Sequence, residues 1–107
     1  MTGLSDQDRD LLRRFEARVR EALPGRVARV VAFGSRARGD HTDDSDLDVA
    51  VFVEGDLERR DRDAVYHVGY RLLLERGVMI QPLLFPARAW GEATSLLRNI
   101  RDDAAAA

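Results

Sequence analysis

Two carboxylates separated by one residue, at the start of an apolar segment, are the residues best placed to do chemistry. Asp46 precedes and Asp48 lies within Leu47–Val53, a segment rich in β-branched residues that predicts a strand. Because side chains alternate along a strand, both carboxylates should lie on one face. At about 5 Å and an effective dielectric of about 20 they repel by about 3 kcal/mol, so the pair indicates a bound cation. Oxygen ligands of this kind suit Mg²⁺, which binds through one or two carboxylates and substrate phosphates.

A second group of residues, about ten positions upstream, has the composition of a phosphate-binding segment. Gly34 permits close approach of the backbone to a ligand, and Ser35 offers a hydroxyl. Backbone N–H groups exposed after a strand can cradle a phosphate. Arg36 and Arg38 can add charge-assisted contacts to further phosphate oxygens. Together with the carboxylate pair, this segment predicts metal-assisted chemistry on a nucleoside triphosphate.

The sequence matches three other ligand-binding motifs only in part, and each lacks residues that its motif requires. Gly34 and Gly39 have P-loop spacing, but Asp40 and His41 stand where Lys and Ser or Thr are required. The acidic residues from Asp44 onward imitate the start of an EF-hand loop, whose glycine and final glutamate are absent. The dinucleotide pattern of three glycines is also missing. His41 is interpreted as a loop residue rather than a catalytic base, because turn residues surround it.

Six elements are predicted to position these residues, in the order helix, strand, strand, helix, strand, helix. Ser5 and Asp8 form a capping-box pattern that opens the first helix, and Pro24 with Gly25 ends it. The remaining predicted elements are a strand at Val27–Phe33, a polar turn-rich segment at 34–44, a strand at Leu47–Val53, a helix at 56–76, a strand at 78–85 and a helix at 86–100. Residues 101–107 are expected to fray.

This order predicts an α+β domain: a small mixed β-sheet with helices packed on one face and the other face open for the site. A length of 107 residues supports a single domain, residues 1–107. Pro82 cannot donate to a strand ladder, so the third strand should lie at a sheet edge or contain a bulge.

Composition excludes several classes of protein. The chain has 17 basic and 19 acidic residues, and the resulting net charge of −2 argues against nucleic acid as a partner. All 17 basic residues are Arg, so no lysine is present to act as a nucleophile. No apolar run approaches the roughly 18 residues that span a bilayer, and the N-terminus lacks the pattern of a secretion signal. With no cysteine, the chain is expected to be cytoplasmic.

The two motifs together resemble the signature of the DNA polymerase beta-like nucleotidyltransferase superfamily. Gly34-Ser35 followed by Asp46-x-Asp48 carries the resemblance, and the short length with Gly-Ser-Arg-Ala-Arg-Gly-Asp is most similar to its minimal nucleotidyltransferases. The resemblance implies transfer of a nucleoside monophosphate from a triphosphate, with ATP expected, to a hydroxyl. It also implies that Asp46 and Asp48 are catalytic metal ligands for Mg²⁺, while Gly34 and Ser35 hold the triphosphate. Many minimal members are antitoxins that bind, and in some cases adenylylate, a helical HEPN-family partner.

One position departs from the family pattern. The family places a third carboxylate on a later strand, and that position falls here at or near Gln81, a neutral and weaker ligand. Glu54 or Glu75 on a neighbouring element is an alternative source of the missing oxygen. Two functions stay open: an active nucleotidyltransferase, and a catalytically impaired antitoxin that neutralises a HEPN-type toxin by binding alone.

A set of apolar and aromatic residues is a candidate surface for self-association or for partner binding. Val65, Tyr66, Tyr70 and Trp90 have the composition that is enriched at the centres of protein interfaces. They favour a homo-oligomer or a protein partner.

Overall fold

A computed structural model describes residues 3–40 and 45–107. Its elements are α1 (Asp6–Ala22), β1 (Val27–Phe33), α2 (Gly34–Arg38), β2 (Leu47–Val53), α3 (Arg59–Arg76), β3 (Ile80–Pro86), a 3₁₀ turn (Ala87–Gly91) and α4 (Ser95–Asp103). The predicted α+β class is confirmed, and the first two strands have the predicted bounds. The segment after β1 was predicted to be turn-rich only, but its first five residues form the short helix α2.

The three strands form one mixed sheet in the order β1-β2-β3. β2 runs antiparallel to β1 and parallel to β3, so the central strand is the one that begins at the carboxylate pair. The predicted edge position of Pro82 is confirmed, since β3 pairs with β2 alone within the described sheet. A proline is tolerated there because its missing N–H interrupts no second ladder.

The two long helices, α1 and α3, pack on one face of the sheet, as predicted. Ser5 begins α1 by accepting a hydrogen bond from the Asp8 N–H at 3.1 Å, and Gly77 ends α3 at φ +74°. Their apolar faces meet alternate residues of β2 in the main core, because side chains on one sheet face recur every second residue. This core contains Leu11, Leu12, Phe15, Val19, Val49, Val51, Val53, Val65 and Leu72.

The other face of the sheet was expected to be open, and that expectation is wrong where a second core packs on it. A second core covers it, formed by Val31, Ala50, Phe52, Ala89, Leu97 and Ile100. The predicted helix at 86–100 is divided into the 3₁₀ turn and α4, because Thr94 accepts from the Leu97 N–H at 3.2 Å and starts a new helix. Phe52 lies 5.3 Å from the Trp90 ring at a right angle, and the Arg29 guanidinium stacks over that ring.

Residues 101–107 were expected to fray, but they are fastened to the domain. Ala105 exchanges two backbone hydrogen bonds with Ala32, at 2.8 and 3.0 Å, and Arg9 donates to the Ala106 carbonyl at 2.8 Å. These contacts are long-range, so the low-complexity sequence did not reveal them. No helix within residues 3–40 and 45–107 is long and apolar enough to cross a membrane.

The four residues of the predicted association surface do not form one surface. Val65 is fully buried in the main core, and Trp90 lies on the opposite side of the sheet. Tyr66 and Tyr70 remain exposed on α3, at 48% and 57% of their surface, so only half of the predicted set faces solvent.

Candidate active site

The carboxylate pair lies where β2 begins, on the sheet face opposite the main core. Leu47 and Val49 are fully buried in that core, so the alternation of the strand turns Asp46 and Asp48 to the other side. Both carboxylates are half-buried. Partial burial, and then the negative charge of Asp46, raise the pKa of Asp48 above its usual range. The site therefore concentrates negative charge that a cation would relieve.

Gln81 stands beside this pair on the parallel strand β3. It is the register partner of Asp48, and its side-chain amide donates to Asp46 Oδ2 at 3.3 Å. The strand position predicted from the family pattern is therefore occupied by an amide. Glu75 and Glu54 do not replace the missing carboxylate: Glu75 forms a bidentate pair with Arg18 at 2.9 and 2.8 Å, and Glu54 follows the far end of β2.

Gly34 connects the phosphate-binding segment to the carboxylates. Its φ is +78°, a left-handed conformation that favours glycine, and a Cβ built on it would lie 2.6 Å from Asp48 Oδ2. Only a glycine backbone can lie this close to the carboxylate. Ser35 follows in the first turn of α2 and is half-buried, so the predicted nucleotide-binding pair adjoins the predicted metal ligands.

Arg36 was predicted to contact phosphate, but the structure gives it a different role. Its guanidinium donates from Nη1 to Asp8 Oδ1 and from Nε to the Ser45 carbonyl, both at 2.7 Å. Arg36 and Asp8 are both more than 90% buried, so the ion pair fastens α2 to α1 and to the segment before β2. Arg36 is therefore a structural residue beneath the site. Asp8, predicted to complete a capping box, forms this buried pair.

Arg38 is exposed at the end of α2 and contacts two carboxylates. Its Nε lies 3.1 Å from Asp40 Oδ2, and its Nη1 donates to Asp103 Oδ2 at 2.9 Å. The same Asp103 oxygen accepts from the Gly34 N–H at 3.2 Å. Asp103 could not be predicted from the sequence, because a local pattern of two aspartates and four alanines shows no contact with a residue 69 positions away.

The donor set at the site fits a divalent cation. Two carboxylates and the side-chain carbonyl of Gln81 are hard oxygen ligands of the kind that Mg²⁺ accepts. Within residues 3–40 and 45–107 no three His, Cys, Asp or Glu side chains come together as a metal site. His41 and Asp44 lie outside the described residues.

The sequence is similar to one protein family and to two curated proteins over most of its length. A model of the family described as nucleotidyltransferase domain matches residues 12–101. Two similar proteins of Methanocaldococcus jannaschii are each named as a candidate protein adenylyltransferase. One is 26% identical over 71% of this chain and 77% of its own length, and the other is 34% identical over 68% of each. The segment that the family model matches contains the carboxylate pair, Gly34, Ser35 and Gln81. The chain therefore belongs to the nucleotidyltransferase domain family and is a nucleotidyltransferase.

Proposed function

We propose that this domain, residues 1–107, transfers the nucleoside monophosphate of a nucleoside triphosphate to a hydroxyl group, in a reaction that depends on Mg²⁺. The hydroxyl oxygen bonds to the α-phosphorus and loses its proton, and the bond to the β-phosphate breaks to release pyrophosphate. Asp46 and Asp48 are the proposed catalytic metal ligands, and Gly34 and Ser35 the proposed triphosphate-binding residues. The observation that carries the proposal is the packing of the Gly34 backbone against Asp48, where a Cβ would come within 2.6 Å of the carboxylate. This contact supports binding of phosphate and metal side by side.

The residues of the chain contribute binding and orientation. Asp46 and Asp48 hold the cation, Ser35 can donate its hydroxyl to a phosphate oxygen, and Arg38 adds positive charge at the exposed side of the segment. When bound, Mg²⁺ supplies charge neutralisation to the phosphate oxygens, which lowers the barrier to attack by a hydroxyl. The half-buried position of Asp48 strengthens its attraction for a cation, because fewer water molecules screen it.

ATP is the proposed nucleotide and a protein hydroxyl the proposed acceptor. Both curated relatives are named as candidate protein adenylyltransferases, which supports adenylyl transfer to a protein side chain. Tyrosine hydroxyls on a HEPN-type helical partner are the acceptors that the minimal nucleotidyltransferase resemblance favours. The proposed location of the reaction is the cytoplasm.

Gln81 favours a second candidate function, a nucleotide-binding antitoxin with impaired catalysis. An amide at this position carries no negative charge, and it donates a hydrogen bond to Asp46. A cation that activates the attacking hydroxyl would therefore be held less tightly than by a third carboxylate. In this case the protein would neutralise a HEPN-type toxin by contact, with its nucleotide site retained for binding.

Two experiments test the proposal. Calorimetry with ATP, GTP, CTP and UTP, with and without Mg²⁺, should show Mg²⁺-dependent binding in the wild type and its loss in Asp46→Asn and Asp48→Asn. Asp63→Asn, an exposed position on α3, is the control and should bind as the wild type does. Equal binding by all four proteins would remove the carboxylates from the site.

Transfer of label from α-labelled ATP to a co-purified partner then separates the two candidate functions. Transfer that disappears in Asp48→Asn supports the enzyme. Capture of the partner without transfer, equally in the wild type and in Asp48→Asn, supports the antitoxin that acts by contact alone.

A further inference from the structure

One carboxylate oxygen accepts hydrogen bonds from two groups that the sequence predicts to bind the triphosphate. Asp103 Oδ2 accepts from the backbone N–H of Gly34 at 3.2 Å and from Arg38 Nη1 at 2.9 Å. Only 17% of the Asp103 side chain is exposed. A carboxylate and a phosphate are both anionic acceptors, so Asp103 meets the same two groups that a phosphate oxygen would meet.

The C-terminal segment is built so that Asp103 reaches this position. α4 packs on the second core through Leu97 and Ile100, and it ends at Asp103. Two residues later, Ala105 pairs with Ala32 of β1 through hydrogen bonds in both directions, one residue before the strand ends at Phe33. The carboxylate is therefore held from both sides at the end of β1, where Gly34 begins α2.

We propose that Asp103 is an intramolecular competitor for the triphosphate, and that nucleotide binding requires it to release Gly34 and Arg38. This inference rests on the proposed function, because it takes the triphosphate to bind at Gly34. If the contact is formed in about nine of ten free molecules, it weakens the apparent affinity about tenfold, since only the open fraction is competent to bind. The C-terminal segment would then set the nucleotide concentration at which the site fills.

The test compares Asp103→Ala, Asp103→Asn and the control Asp102→Ala by calorimetry with Mg²⁺–ATP and with tripolyphosphate. Asp102 is exposed, precedes Asp103 on α4 and makes neither of the two contacts. We expect Asp103→Ala to bind both probes about five- to tenfold more tightly than the wild type. Asp103→Asn should give a smaller gain, because a neutral amide oxygen is a weaker acceptor, and Asp102→Ala should match the wild type.

Each contrary result has a distinct meaning. Weaker binding by Asp103→Ala, with an unchanged thermal unfolding midpoint, would show that Asp103 positions Gly34 for the ligand and would overturn the proposal. Equal affinity of the wild type and Asp103→Ala would overturn it as well, and would leave the proposed function intact. Absence of binding by every variant and the wild type would refute the proposed function itself.

In a parallel measurement, the amide resonance of Gly34 should shift in Asp103→Ala and remain in place in Asp102→Ala. This shift would report loss of the contact directly, without any ligand. An unshifted Gly34 resonance in Asp103→Ala would show that the contact is absent in solution, and would overturn the proposal on its own.

Discussion

Replacing Gly34 with alanine should separate the geometry of the site from the stability of the fold. At φ +78° a residue with a Cβ costs about 1–2 kcal/mol. The new Cβ would also lie 2.6 Å from Asp48 Oδ2, and ordinary contact begins at 3.4 Å, so the carboxylate or the glycine backbone must move by about 0.8 Å. A displacement near 1 Å of a reacting group costs on the order of 10²-fold in rate.

Gly25→Ala is the matched control. Gly25 has φ +73°, nearly the value at Gly34, but a Cβ there meets nothing within 4 Å. Both variants should lose about 1–2 kcal/mol of unfolding free energy, and each kcal/mol lowers the melting temperature by roughly 4–8 °C in a domain of this size. Only Gly34→Ala should lose nucleotidyl transfer, by on the order of 10²-fold.

The assay measures the initial rate of label transfer at saturating Mg²⁺–ATP, alongside thermal unfolding of the wild type and both alanine variants. A Gly34→Ala protein with the wild-type rate of transfer would refute the reasoning. Such a result would mean that Asp48 can move without consequence, and that the close approach of the backbone has no catalytic value.

Three further predictions follow from other contacts. Gln81→Asp should raise the transfer rate on the order of 10²–10³-fold if a third carboxylate is needed. Mg²⁺ should also raise the melting temperature of this variant more than that of the wild type. An unchanged transfer rate would show that two carboxylates suffice. Asp61→Asn should destabilise the fold by about 2–4 kcal/mol at pH 7, because Asp61 pairs with Arg26 at 2.8 Å and is 3% exposed. Because the ion pair lowers the pKa of Asp61, its full contribution to stability is present above about pH 4. The difference in unfolding free energy between the wild type and Asp61→Asn, measured by chemical denaturation, should therefore shrink as the pH falls below that value. Arg36→Met should lower the unfolding free energy by about 3–5 kcal/mol in urea titrations, since it leaves the buried Asp8 carboxylate without its partner; a loss below 1 kcal/mol would contradict the structural role of Arg36.

Local signals in the sequence were enough to predict the strands, and they are the basis of the proposed chemistry of the site. A run of apolar residues, rich in β-branched ones, set the bounds of Leu47–Val53, and side chains along this strand alternate between the main core and the opposite sheet face. The same alternation places Asp46 and Asp48 on one face, whatever covers the sheet. Gln81 lies beside Asp48, since the parallel strands β2 and β3 pair these two residues in register.

Contacts between distant segments were decided only by the tertiary structure. Arg36 and Arg38 look alike in the sequence, two residues apart, but one is buried against Asp8 and the other is exposed beside Asp103. The sequence also contains no sign that its alanine-rich end pairs with Ala32, since four alanines carry no pattern of their own. Residue type and spacing determine which groups can do chemistry, because those rules act within a strand or a helix turn. Whether a charged side chain is paired, buried or free to meet a ligand depends on what the fold brings next to it, because electrostatic and packing energies depend on distance in space.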